Sequence, residues 1–69
     1  MNMYIFKTSI EPQDIRIVNS ILRAIIPSCI WTFDLEDCDR ILRIKSNKNI
    51  NKLVCFHLKI DGFQCEELQ

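Results

Sequence analysis

The spacing of apolar residues predicts an α+β fold of order βαββαβ, a four-stranded antiparallel sheet with two helices on one face. Three observations carry this. Apolar residues alternate at period two in four short stretches, two further stretches repeat at three and four residues, and residues that start or stop helices fall between them. At 69 residues the chain has room for one domain, residues 1–69, and its 48% apolar content is enough to close a core without disulfides or a structural metal.

In residues 3–10, Tyr4, Phe6 and Thr8 fall on one face and Lys7 and Ser9 on the other, the pattern of a strand buried on one side. Pro12 suits the first helical position, where its missing N–H costs nothing, and Glu11 and Asp14 place negative charge at the positive helix end. Ile15, Val18, Ile21, Leu22 and Ile25 then form one face of a helix, Arg16, Asn19, Ser20 and Arg23 the other, and Pro27 closes the run.

From Cys29 to Leu35 the period returns to two, with Trp31, Phe33 and Leu35 facing one way, so Trp31 is expected to be buried against the first helix. Glu36-Asp37-Cys38-Asp39 reads as a polar turn without glycine, leading into Leu42 and Ile44, which alternate with Arg43 and Lys45 to complete a hairpin. Ser46 to Asn51 is a polar connection in which Asn51 or Asn49 would cap a second helix. That helix has Val54, Leu58 and Asp61 on one line and Leu53, His57 and Ile60 on the next, and Gly62 supplies its stop. Phe63 and Cys65 alternate with Gln64 and Glu66 in a short last strand. The result is a ferredoxin-like βαββαβ sandwich, an arrangement that serves many unrelated functions.

Nine basic and nine acidic residues cancel, which removes the charge footprint of a nucleic-acid or anionic-membrane binder; neither partner is expected. No apolar run approaches the roughly 18 residues of a membrane span, and the start Met-Asn-Met-Tyr lacks a secretory leader, so a cytoplasmic location is expected. Cys29, Cys38, Cys55 and Cys65 are then free thiols rather than a disulfide framework.

Three stretches resemble the heavy-metal-associated domains of small copper chaperones: Phe6-Lys7-Thr8-Ser9-Ile10, Trp31 to Asp37 with Arg40-Ile41-Leu42-Arg43-Ile44, and Gly62-Phe63-Gln64-Cys65-Glu66. The resemblance implies a first loop carrying a C-x-x-C pair that holds Cu(I) or Zn(II) at the N-terminal end of the first helix. Here that loop reads Ile10-Glu11-Pro12-Gln13-Asp14-Ile15, with Pro12 and Ile15 about where the cysteines would stand. Neither can ligate a metal.

No other constellation replaces the pair. The four cysteines lack the short spacing of a soft-metal site, and Cys55 and Cys65 read as small core residues. His57 reads as a partly buried helix residue, Glu36-Asp37-Asp39 as a solvated turn, and Glu11 and Asp14 as partners of the helix dipole. No catalytic, cofactor-binding or metal residue is assigned, and no enzyme activity or cofactor is expected. The expected function is that of a non-enzymatic domain that has lost its metal pair and acts on another protein or on itself, with a metal ion not expected as a partner. The alternative is a copper or other soft-metal binding or transport protein using non-standard ligands, completed across an interface.

Overall fold

The computed structural model describes residues 2–68. Strand β1 (Asn2–Thr8) leads through a single 3-10 turn (Pro12–Asp14) into helix α1 (Ile15–Ile25), followed by β2 (Ile30–Asp34), β3 (Ile41–Ser46), α2 (Asn51–Ile60) and β4 (Cys65–Leu68). Among the described residues the strands form one four-stranded sheet in the order β2-β3-β1-β4, with every neighbouring pair antiparallel. This is the predicted ferredoxin-like architecture.

Directly opposed residues share a face, so the register decides which side chains meet the helices. Phe6, Leu42 and Phe33 stand in one row across β1, β3 and β2, and Tyr4, Ile44 and Trp31 in the next. These rows pack with Val18 and Leu22 of α1, Val54 and Leu58 of α2, and Cys65 of β4 in one core. Each fully buried Leu, Val or Phe contributes about 1.5–3 kcal/mol. The other face of the sheet is laced by Arg43–Asp34, at 3.6 Å.

Trp31 departs from expectation. It is half-buried rather than buried, because β2 is an edge strand, and its indole N–H donates to Asn19 Oδ1 on α1 at 2.9 Å. An indole that keeps one edge near water retains a partner for its N–H without stripping the whole ring of solvent.

The helix ends are built by different chemistry. Before α1, Pro12 opens the 3-10 turn; the Glu11 N–H donates to Asp14 Oδ2 at 3.0 Å and the Asp14 N–H to the Glu11 carbonyl at 2.8 Å. At α2 neither expected asparagine holds the cap position, which buried Ile50 takes; Asn51, one residue inside the helix, accepts the Lys52 N–H on Oδ1 at 2.9 Å and donates its amide to Glu67 Oε1 on β4 at 2.7 Å. Gly62 stops α2 as predicted, with φ +92°. Its N–H donates to the Lys59 carbonyl at 3.0 Å and the Phe63 N–H to the Leu58 carbonyl at 2.9 Å, the paired bonds of a Schellman ending.

Candidate metal site in the hairpin turn

One end of the sandwich gathers three connections. The Thr8 N–H donates to the Asp39 carbonyl at 3.0 Å and its hydroxyl to the Arg40 carbonyl at 2.6 Å, fixing the β2–β3 turn to the end of β1. The Gln64 N–H donates to Ser9 Oγ at 2.8 Å, which ties in the α2–β4 loop. Arg40 Nη1 donates to Glu11 Oε1 at 2.8 Å, joining the turn to the loop before α1. That ion pair, with the Gln13 amide as a second donor, holds the Glu11 carboxyl below the usual carboxylate range.

Within this frame the turn folds tightly upon itself. Asp37 Oδ1 accepts the Asp39 N–H at 2.9 Å and the Asp37 carbonyl accepts the Arg40 N–H at 3.0 Å. Arg40 takes the left-handed backbone, φ +48°, that glycine more often supplies. The consequence is chemical: one ligand atom from each of Asp37, Cys38 and Asp39 lies within 4.8 Å of the other two. Lys7 Nζ stands 3.6 Å from Asp39 Oδ1, an exposed pair of little strength that an ion would have to displace.

Two carboxylate oxygens and one thiol make a three-donor set of mixed hardness. A tetrahedral ion held by three protein ligands keeps a fourth position open, and this mixture suits a borderline divalent ion such as Zn(II) better than Cu(I), which favours several soft sulfurs. The expectation that a metal ion is not a partner is therefore corrected. The physical cause is local: these donors are consecutive, a spacing that lacks the C-x-x-C signature and reads as a solvated acidic turn beside a lone thiol. Three consecutive residues on a strand point to alternate sides, but a turn can bring all three side chains to one place.

The other singled-out residues fall elsewhere. Pro12 lies in the 3-10 turn and Ile15 opens α1, and neither offers a donor. His57 is half-buried on α2, edge-to-face with Phe56 at 5.4 Å between ring centres. Cys29 is half-buried before β2, and Cys38 is exposed. Cys55 and Cys65 meet, the Cys55 thiol donating to Cys65 Sγ at 3.1 Å, a contact that the sequence reading missed. The available signal was a core-facing cysteine on each side of the Gly62 stop.

A separate cleft of about 470 Å³ opens between the α1–β2 and β3–α2 connections, with Lys45 and Lys48 among its lining residues. Its buried hydroxyl, Ser46, is already satisfied by the Lys48 carbonyl at 2.9 Å. Among the described residues no helix is long and apolar enough to cross a membrane. Compared with family models, curated proteins and solved structures, the chain matches none.

Proposed function

We propose that this chain is a small, non-enzymatic metal-handling domain of the heavy-metal-associated kind, working in a reducing compartment such as the cytoplasm. In this reading the donor set has moved from the first loop to the neighbouring hairpin turn. The observation that carries it is the convergence of Asp37, Cys38 and Asp39 within 4.8 Å. Arg40 links that turn to Glu11, in the loop where the resemblance implies a thiolate pair. The ion favoured by two oxygens and one sulfur is divalent and borderline in softness, and the open position would accept water or a ligand from an exchange partner.

Titration of the reduced full chain with Zn(II) against a chromophoric chelator, repeated with Co(II) to reveal thiolate charge-transfer absorption, tests this. One-to-one binding is expected. Cys38→Ser should weaken it at least roughly tenfold, about 1.4 kcal/mol, and abolish the charge-transfer band. No binding, or binding indifferent to Cys38→Ser, overturns the reading.

A second reading has its own support. Leu53, Phe56 and Ile60 of α2 are 41%, 61% and 64% exposed, and Lys52 and Lys59 are exposed on the same helix. Apolar contacts framed by positive charge favour an acidic, apolar segment of another protein over a second copy of this helix, whose lysines would repel. Phe56→Ser should then weaken partner binding without affecting Zn(II).

A further inference from the structure

Two of the four thiols are already in contact. Cys55 sits half-buried on α2, Cys65 opens β4 and is 4% exposed, and their sulfurs lie 3.1 Å apart. A disulfide has its sulfurs about 2.05 Å apart, so closure asks for an approach of about 1 Å. The geometry points to a two-electron redox site: Cys55 and Cys65 are an attacking and a resolving thiol that close to an intramolecular disulfide on meeting a small disulfide of the glutathione class.

The two roles follow from the surroundings. Cys55 is partly open to solvent, so an external disulfide reaches it first. Cys65 is covered, and burial, followed by the contact with Cys55, pushes its thiol well above the ordinary cysteine range. It therefore offers little thiolate to an outside oxidant. Lys59, one turn beyond Cys55 on α2, acts in the opposite direction and favours the Cys65 thiolate that the second step requires.

In the first step the Cys55 thiolate attacks one sulfur of the small disulfide, whose S–S bond breaks and releases one thiolate. In the second, Cys65 loses its proton to that thiolate or to water and attacks Cys55 Sγ, expelling the second small thiolate, which is protonated in turn. Two S–H bonds of the protein become one S–S bond, and the two electrons leave as two small thiols. The product joins α2 to β4 across a separation of ten residues. Such a short cross-link constrains the unfolded chain and should raise the thermal midpoint by roughly 10 °C.

The test equilibrates the full chain in mixtures of reduced and oxidised glutathione, quenches with acid, alkylates under denaturing conditions and maps the peptides by mass. A single intramolecular bond between Cys55 and Cys65 is expected, with the higher thermal midpoint in the oxidised protein. Cys65→Ser should stop at a stable glutathione adduct on Cys55. Cys55→Ser should leave Cys65 unmodified at neutral pH, and because Cys55 is only half-buried this variant remains decisive if Cys65→Ser fails to fold. Recovery of both Cys55 and Cys65 as free thiols while Cys38 carries glutathione, or disulfides formed through Cys29 or Cys38 instead, overturns the proposal.

Discussion

Helices α1 and α2 hold equivalent places over the sheet, and each is anchored by two wholly buried residues four apart: Val18 and Leu22 in α1, Val54 and Leu58 in α2. Beyond those anchors they differ. Ile21 and Ile25 of α1 pack half-buried against the core, and Ile17, at 51%, is its exposed large apolar residue, whereas α2 leaves Leu53, Phe56 and Ile60 open. One i, i+4 line is enough to seat a helix on this sheet. What the rest of the helix carries is released for other work, and α2 uses that freedom for an apolar outer ridge and for Cys55.

The strongest test of this equivalence is to remove one anchor from each helix. Leu22→Ala and Leu58→Ala should each cost about 2–5 kcal/mol, read by urea unfolding. A loss below 1 kcal/mol at Leu58 alone, against that same roughly 2–5 kcal/mol scale, would mean that α2 is not seated as α1 is. The helix ends give the next largest contrast. The Ile26 N–H bonds to the Leu22 carbonyl at 2.7 Å before Pro27 closes α1, while α2 depends on Gly62 at φ +92°. A side chain at Gly62 would meet no atom within 4 Å, so Gly62→Ala should cost about 1–2 kcal/mol through backbone conformation alone. Retention of full stability would show that the ending can be rebuilt without a left-handed residue.

On the α1 side, Asn19→Ala removes the acceptor of the Trp31 indole and should cost about 1 kcal/mol, with a change in Trp31 emission. The loop before α1 also predicts a pH effect. The Arg40 contact lowers the folded-state pKa of Glu11 below its ordinary 4.5, so the unfolded chain binds the proton more readily. This contribution is present above pH 4.5 and is lost as the pH falls from there through the depressed folded value. Glu11→Gln should flatten that part of the acid-unfolding curve, and an unchanged curve would show that the pair does not persist in solution. The smallest effect belongs to the α2 ridge: Phe56→Ser should alter stability by no more than about 0.5 kcal/mol. A larger loss would place Phe56 within the core and remove the difference between the two helices.

Legibility in the sequence followed the range of the interactions. The period-two rows of Tyr4, Phe6 and Thr8 and of Leu42 and Ile44 located strands because residues two apart share a face whatever the partner strand. Gly62 was legible for a similar reason, since its conformational freedom is a local property. The cap of α2 was not, because the position before the helix went to Ile50, which tertiary packing buries, leaving Asn51 one residue inside, where it accepts the Lys52 N–H and donates to Glu67 on β4. Trp31 was placed on the correct face, but its half-exposure depends on β2 lying at the sheet edge, and strand order is set by long-range pairing.

By itself the sequence determined the βαββαβ order, the inward faces of β1, β2, β3 and α1, and the lack of ligating side chains at Pro12 and Ile15. All of these depend on residue type and on spacings of two to four residues. Phe63, expected in the last strand, lies before β4 (Cys65–Leu68). Tertiary structure alone decided the two chemical clusters. Asp37, Cys38 and Asp39 converge because hydrogen bonds from Thr8 and within the turn fold the chain back on itself, and Cys55 meets Cys65 because the Gly62 stop returns β4 beneath α2. Each cluster requires a change of chain direction, and side-chain spacing along the sequence carries no record of the distance that such a reversal closes.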